Sequence, residues 1–285
     1  MRAAFAMFTP ASILARLTAS LALGTVLLMA GSGAETQGRR GGQFGRSQRI
    51  DPAWIYDGSF VFCRIAFNQA PYGDGGGWSV DYPRADLNLP FRTGQLTTVP
   101  ISRDRRGEPN HVVITLTDPK LFQCPFIMMT EPGGLLLDAE EAARLREYLD
   151  KGGFLWADDF WGEYAWQVWE HEIRKALPAS NFPIVDLTLD HPLFHMLYVV
   201  PYVPQIPSIN SWFSLGFGTS ERFDSQTPHV RAINNEDGHV MVLITHNTDF
   251  GDAFEREGED RRYFDRFATE GYSFGINVIL YAMTH

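Results

Sequence analysis

The sequence is poor in basic residues and has no nucleotide-binding motif. It carries 24 lysines and arginines against 34 aspartates and glutamates. Nucleic acids and anionic membranes are bound through basic surfaces, so this deficit argues against both as partners. The glycine-rich segment at 73–77 has neither the spacing of a dinucleotide fingerprint nor the Gly-Lys-Ser/Thr of a phosphate loop. Nothing in the sequence therefore indicates a nucleotide cofactor.

Cysteine is almost absent as well, since only Cys63 and Cys124 occur in the chain. Each lies in or beside an apolar run that predicts a strand. In an oxidising compartment the two cysteines would pair, whereas two buried free thiols are the alternative. Their spacing leaves both possibilities open.

An apolar run at residues 17–30 is short for a membrane span but has the length of a signal peptide. Arg2 and Arg16 are the only charged residues before Glu35, and small residues offer a cleavage site after Ala34. We therefore expect residues 1–34 to be a signal peptide that exports the protein to the periplasm or the cell exterior, with an uncleaved anchor as the alternative. The mature chain would hold 22 basic residues (24 − 2) and 34 acidic residues, a net charge of −12.

Residues 35–50 are rich in glycine, arginine and glutamine, which indicates a flexible linker. No second linker follows, so residues 51–285 are predicted to form a single domain. Several apolar runs lack polar alternation, as strands buried on both faces do. The predicted strands are 60–67, 112–116, 125–130, 154–157 and 240–245.

Helical patterns separate the predicted strands. The clearest covers residues 135–152, where Asp138 and Glu141 form an N-terminal capping pattern. Strands alternating with helices predict an α/β fold, in which a mostly parallel sheet is covered by helices on both faces. The proline-rich segment 183–228 is less regular, and we expect extended excursions there, with an extra hairpin as one option. The other predicted helices are 82–96, 166–177 and 272–283.

Two adjacent acids, Asp158 and Asp159, follow the predicted strand at 154–157. Ligands of open α/β sheets bind at the carboxyl ends of the strands, so both acids are candidate catalytic residues or metal ligands. Neighbouring strand residues point to opposite faces, so one acid is expected to line a cleft while the other caps the next helix. A purely structural cap is the alternative.

The loop after the first strand offers aromatic, acidic and basic side chains at the same edge of the sheet. Such a set is typical of a site that grips a sugar or a peptide, and a packed loop with internal salt bridges is the alternative. The candidates for ligand binding in this loop are Trp78, Asp81, Tyr82, Arg84 and Asp86.

Two further strand ends carry candidates. Glu131 follows the strand at 125–130, and His246 follows the last strand together with Asp249 and Asp252. A histidine with carboxylates is suited to binding a divalent metal or to moving protons. A hydrogen-bonded loop histidine is the alternative.

Together these segments resemble a bacterial family of unknown function, number 4159 among the domains of unknown function, which is similar in turn to the class I glutamine-amidotransferase-like fold. The resemblance covers about residues 58–283, and the tail from Gly238 to Asp249 resembles the trehalose-utilisation-like branch of that fold. The motifs that carry it are Trp78…Asp81-Tyr82-Pro83, Glu140-Glu141…Leu145-Arg146, Gly152-Gly153-Phe154…Asp158-Asp159, His191-Pro192 and Gly275-Ile276-Asn277.

The resemblance implies a flavodoxin-like sheet and a sharp elbow near residues 158–160. In the amidotransferases this elbow carries a nucleophilic cysteine, and this chain has no cysteine there. A carboxylate is a poor substitute, because amide hydrolysis of this kind needs a nucleophile activated by a paired base. We therefore expect no glutamine amidotransferase activity.

The expected function is that of a non-catalytic binding or envelope-assembly protein, with a small molecule, a carbohydrate or an envelope protein as its ligand. No cofactor is expected for such a protein. The alternative is a metal-assisted hydrolase that acts on carbohydrate. It would use a divalent metal held by Asp158 or Asp159 with His246 and Asp249.

Overall fold

The structure is a computed structural model that describes residues 56, 58–216 and 218–285. The predicted signal peptide (1–34) and linker (35–50) lie outside the described residues. Within the described ranges, every helix is too short or too polar to cross a membrane.

The strand and helix bounds are as follows. The strands are β1 (Phe62–Ile65), β2 (Asn68–Gln69), β3 (His111–Ile114), β4 (Phe126–Thr130), β5 (Leu135–Leu136), β6 (Phe154–Asp158), β7 (Ile184–Asp186), β8 (His229–Asn234) and β9 (Val240–His246). The helices are α1 (Arg84–Leu96), α2 (Ala139–Asp150), α3 (Gly162–Ala176), α4 (Ile209–Ser214), α5 (Phe250–Glu255), α6 (Arg261–Tyr263) and α7 (Thr269–Thr284). Single 3-10 turns occur at Pro119–Gln123, Pro132–Gly134 and Pro192–Phe194, and a π-helical turn at Phe264–Ala268 joins α6 to α7.

A seven-stranded sheet forms the centre of the fold, in the order β3-β1-β4-β6-β9-β8-β7. The first five strands of this order are parallel. The last two are antiparallel to their neighbours, while β2 and β5 pair as a separate antiparallel ribbon. The mostly parallel sheet and its five predicted strands are confirmed. The extended excursions expected in the irregular segment 183–228 include β7, which pairs antiparallel with β8 directly after the segment.

Helices cover both faces of the sheet. Successive side chains of β1 point to opposite faces, so this strand contributes to both helical layers. Cys63 and Ile65 pack in the layer of α2 and α3, where Leu145 and Trp169 are buried. Phe62 packs in the opposite layer, formed by α1, α5 and α7. The predicted arrangement of helices on both faces is confirmed.

The predicted capping pattern at the start of α2 is confirmed. Asp138 accepts a hydrogen bond from the Glu141 amide at 2.8 Å, and the Glu141 carboxylate accepts one from the Asp138 amide at 3.0 Å. Two of the amides that a helix start leaves unpaired are thereby satisfied. Helix α3 begins at Gly162, four residues before its predicted start at 166.

The two cysteines form a disulfide. Cys63 lies in β1 and Cys124 lies just before β4, and both are buried in the layer of α2 and α3. The bond joins two neighbouring parallel strands across 61 residues of sequence. Of the two possibilities that the spacing left open, the structure contains the pair.

Candidate functional site

The chain leaves three parallel strands through polar residues in the left-handed backbone conformation. Glu131 (φ 49°) follows β4, Asp159 (φ 60°) follows β6, and Asn247 (φ 61°) follows β9. Asp81, in the loop after β1, is the only other described non-glycine residue with positive φ (62°). This conformation costs about 1–3 kcal/mol at each residue and is concentrated at functional sites, so it points to the carboxyl edge of the sheet.

A pocket of about 110 Å³ opens at this edge. It lies between the loop after β1 and the ends of β4, β6 and β9. Five carboxylates and one guanidinium line it, with Phe160 and Trp161 as an aromatic wall. The charged lining residues are Asp74, Glu131, Asp159, Glu221, Arg222 and Asp249.

Glu131 anchors the glycine-rich loop to the end of β4. Its Oε2 accepts hydrogen bonds from the amides of Gly76 and Gly77, the second at 2.9 Å. A side chain at Gly75 would place its first carbon 2.9 Å from the same oxygen, so the close approach requires glycine there. Burial raises the pKa of Glu131 to about 7, although the two amides act to lower it.

Asp159 and Asp249 face the pocket from the ends of β6 and β9. Asp159 is buried and accepts a hydrogen bond from Trp161 Nε1 at 2.9 Å. Asp249 begins α5 and accepts one from the Asp252 amide at 2.6 Å. Burial, followed by repulsion from Glu131 for Asp159 and from Asp159 for Asp249, raises both pKa values well above the ordinary range. In the part of the chain that the structure describes, neither acid takes part in a salt bridge.

Asp158 points into the opposite layer. Its Oδ2 accepts hydrogen bonds from the amides of Phe250 and Gly251 at 2.9 and 3.0 Å, and its Oδ1 accepts one from the Thr245 hydroxyl. The expectation that one acid lines the cleft and the other caps a helix is met, but the capped helix is α5 rather than the next helix, α3. Burial raises the pKa of Asp158 to about 7.

Asp81 and Asp252 lie behind Asp249. Both are buried, and one oxygen from each of these three acids lies within 4.8 Å of the other two. Asp252 accepts hydrogen bonds from the Ile209 amide at 2.5 Å and from Arg256 Nε at 3.3 Å. Burial raises the pKa of Asp252 to about 6 and that of Asp81 well above its ordinary range.

Asp86 does not belong to the pocket, which corrects the expectation that it binds a ligand. It is fully buried, and Arg64 Nε donates to both of its carboxylate oxygens at 2.9 and 3.0 Å. Arg64 also donates to the carbonyl oxygens of Trp78 and Val80. The pair therefore holds the loop onto β1 and leaves neither charge free for a ligand.

The other candidates of this loop also lie away from the pocket lining. Tyr82 contacts His111 of β3, with its hydroxyl 3.3 Å from Nε2, and Trp78 packs against Tyr82 and the core. Arg84 pairs with Glu259 at 3.2 Å on the surface. These residues hold α1 and its loop in place.

His246 is separated from the carboxylates. It ends β9, its Nε2 lies 3.1 Å from the Gly162 carbonyl oxygen, and its ring packs on Phe160 and Trp166. Burial lowers its pKa to about 4, so the imidazole is neutral at pH 7. Among the described residues, the cluster of side chains close enough to hold a metal contains Asp249 but not His246.

Three charged residues of the pocket were not predicted from the sequence: Asp74, Glu221 and Arg222. Arg222 donates to both Asp74 oxygens at 3.1 and 3.2 Å and so joins the loop after β1 to the segment before β8. Asp74 lies within the recognised glycine-rich segment. No sequence pattern indicates that Glu221 and Arg222 line the pocket, because their position depends on how the irregular segment 183–228 folds back towards the sheet.

The fold and the pocket define a mixed α/β protein with an acid-lined site at the carboxyl edge of its parallel strands. The family model described as a domain of unknown function (DUF4159) matches residues 64–283, and the chain belongs to that family. The matched range runs from β1 into α7 and includes every charged residue of the pocket. A comparison with curated proteins finds no match.

Proposed function

We propose that the chain is an exported, non-catalytic binding protein whose pocket takes the positively charged end of a ligand. The observation that carries the proposal is the excess of carboxylates, five against one guanidinium, on the lining of one small pocket. A buried carboxylate loses its hydration and is stable only when a proton or a cation compensates it. An ammonium or guanidinium group would supply that compensation.

The lining of the pocket suits the charged end of a ligand. Carboxylates around a space of about 110 Å³ can surround a lysine-like or arginine-like group, or the amine of an amino sugar. We therefore propose a basic peptide or an amine-bearing small molecule as the ligand class.

Export and fold type are part of the proposal. A disulfide between Cys63 and Cys124 is typical of oxidising compartments and supports the predicted signal peptide. Numbered along the chain, the five parallel strands are ordered 2-1-3-4-5, the order of flavodoxin-like sheets. The resemblance to the amidotransferases implies an elbow near residues 158–160, and the left-handed conformation of Asp159 supports it. A carboxylate there supports a scaffold that binds without covalent chemistry.

The test is calorimetric titration of matched cationic and neutral compounds in the presence of EDTA. Arginine is compared with citrulline, and glucosamine with glucose. We expect the cationic member of at least one pair to bind, and Asp159→Asn to weaken that binding at least tenfold. Asp138→Asn, which alters the distant cap of α2, serves as the control and is expected to bind normally. Equal binding of both members of each pair, or no binding of either, contradicts the proposal.

A metal-assisted hydrolase is the second candidate, and the pKa of Glu131 favours it. A pocket carboxyl with a pKa of about 7 is matched to proton transfer at neutral pH. The position of His246 weighs against this candidate in the form expected from the sequence. A screen of glycoside and ester substrates with added manganese distinguishes the two functions. Turnover that is lost in both Asp159→Asn and Glu131→Gln would establish the enzyme and overturn the non-catalytic proposal.

A further inference from the structure

Three buried aspartates converge behind the pocket. Asp81 comes from the loop before α1, Asp249 begins α5, and Asp252 lies in the first turn of α5. One carboxylate oxygen from each lies within 4.8 Å of the other two, and all three residues are at least 94% buried. Only Asp249 also lines the pocket.

Asp81 is the member of this cluster that requires a further partner. Its Oδ2 is buried and accepts no hydrogen bond from any residue that the structure describes. A first side-chain carbon at Gly251 would overlap that oxygen and would also approach Asp249 Oδ1 to 3.4 Å. The oxygen is therefore directed at the first turn of α5, where the other two carboxylates lie. An unpaired carboxylate in such a place costs several kcal/mol unless it is compensated.

The basic residues near the cluster are already engaged. Arg64 donates to both oxygens of Asp86. Arg256 reaches Asp252 at 3.3 Å but also pairs with Glu255 and Glu259. The N-terminal amides of α5 compensate part of the charge, since Asp249 accepts from the Asp252 amide. Among the described residues, Arg256 is the basic side chain that pairs with one of these three carboxylates, and it is shared with two glutamates.

We infer that Asp81, Asp249 and Asp252 bind one divalent cation of the hard, oxygen-preferring kind. The donor set consists of carboxylate oxygens alone, and no histidine or cysteine of the described ranges belongs to it. Such a set favours Ca²⁺, Mg²⁺ or Mn²⁺ over zinc, which prefers nitrogen and sulfur. Three oxygens within 4.8 Å of one another can reach a common cation that takes its oxygen ligands at about 2.3–2.6 Å, as Ca²⁺ does.

The cation site goes beyond the proposed binding function and does not depend on it. A cation here would fix the loop after β1 to α5 from below the pocket. The pocket would keep Asp74, Glu131, Asp159 and Glu221 for a basic ligand. The inference therefore stands or fails on metal binding alone, measured without any organic ligand.

The test uses the purified chain stripped with EDTA and then dialysed free of it. Calorimetric titration at pH 7.5 with Ca²⁺, Mg²⁺, Mn²⁺ and Zn²⁺ is expected to give one site per chain for at least one of the first three. Asp81→Asn keeps the shape of the side chain and removes its charge, so it should weaken binding at least tenfold. Asp249→Asn is a second variant with the same expected effect, and circular dichroism checks that both fold.

Asp138→Asn, in the cap of α2, is the matched control and should bind the metal as the unmodified chain does. Absence of binding at millimolar metal overturns the inference. Binding that is unchanged in both Asp81→Asn and Asp249→Asn overturns it as well.

Discussion

The carboxylate of Asp81 and the backbone of Gly251 lie so close together that no side chain fits at Gly251 without displacing Asp81 Oδ2. The two residues come from opposite ends of the matched family range, and their contact joins the loop after β1 to the first turn of α5. Gly251 also donates its amide to Asp158 at 3.0 Å. A single glycine thereby sets the positions of two buried carboxylates.

Replacing this glycine is expected to disturb the acid cluster. In Gly251→Ala the new methyl group would push Asp81 away from Asp249 and Asp252, so the variant should lose the thermal shift produced by Ca²⁺. Its stability should also fall by about 1–3 kcal/mol, as for other overpacked sites. Gly258→Ala is the control, because a methyl group there meets nothing within 4 Å. An unchanged Ca²⁺ response in Gly251→Ala would show that Asp81 Oδ2 is not a ligand.

Stability is expected to fall as the pH rises from 6.5 to 8 in the presence of EDTA. The pKa values of Asp158 and Glu131 are raised to about 7 in the folded protein, and burial also raises those of Asp81 and Asp159 well above their ordinary range. In the unfolded chain these carboxyls ionise near pH 4, so between pH 4 and the folded pKa the folded state holds more protons. Raising the pH through that range therefore favours unfolding.

The window begins at pH 6.5 because His246 acts in the opposite direction below it. Its pKa is lowered to about 4, so acidification below the ordinary value of about 6.5 protonates the unfolded chain first. One pKa unit corresponds to about 1.4 kcal/mol, so the melting temperature should drop by several degrees from pH 6.5 to 8. Saturating Ca²⁺ should remove only the part of the drop that comes from Asp81 and the other acids of the cation site, because Asp158, Glu131 and Asp159 do not belong to that site. A melting temperature that rises with pH in EDTA would contradict the raised pKa values.

Asp158→Asn is expected to make the chain less sensitive to pH. The asparagine oxygen can accept from the amides of Phe250 and Gly251, and its amide can donate to Thr245 Oγ1. The hydroxyl of Thr245 lies 3.3 Å from the carbonyl oxygen of Ala157 and can donate there instead. The variant thus reproduces the bonds of the protonated acid. Thermal melts in EDTA should match the unmodified chain at pH 6.5 and lie above it at pH 8.

Asp86→Asn is the contrasting variant for this experiment. Asp86 neutralises the buried Arg64, so its loss leaves an uncompensated charge and should cost about 3–5 kcal/mol at every pH. If Asp158→Asn behaved in the same way, Asp158 would be an ionised cap rather than a carboxyl that holds a proton near neutrality.

The loop over the pocket should detach when Glu131 is truncated. Glu131→Ala leaves the amides of Gly76 and Gly77 without their acceptor, at a cost of about 1–3 kcal/mol. Hydrogen exchange at residues 73–77 should become faster, while exchange in β4 and β6 stays slow. Glu131→Gln keeps an acceptor oxygen and should preserve the protection. Equal exchange in all three proteins would mean that the loop is held by other contacts.

The sheet could be predicted from the sequence because its strands are buried on both faces. The run Phe126–Thr130 has no polar alternation, and the structure places it between two other parallel strands. The capping pattern of Asp138 and Glu141 fixed the start of α2 for a similarly local reason. Strands β7 and β8 have no such signature, since β7 is three residues long and β8 pairs on both sides only after a long excursion.

The position of the site could be predicted from the sequence, but only some of the residues that form it. The rule that ligands bind at strand ends correctly brought Glu131, Asp159 and Asp249 to one pocket. This rule could not show that Asp86 forms a salt bridge with Arg64. The two residues are 22 positions apart in sequence, and their contact depends on how the loop after β1 packs. The rule also could not show the direction of His246, since the face to which the last residue of a strand points follows from the register of the whole sheet.

The most direct measurement of the central claim, that the buried acids at the carboxyl edge hold a cation, is anomalous diffraction from a crystal soaked in Mn²⁺. We expect one strong peak within bonding distance of oxygens from Asp81, Asp249 and Asp252, and no such peak in a crystal of Asp81→Asn soaked in the same way. Peaks confined to surface carboxylates, with none among these three aspartates at saturating Mn²⁺, would contradict the account.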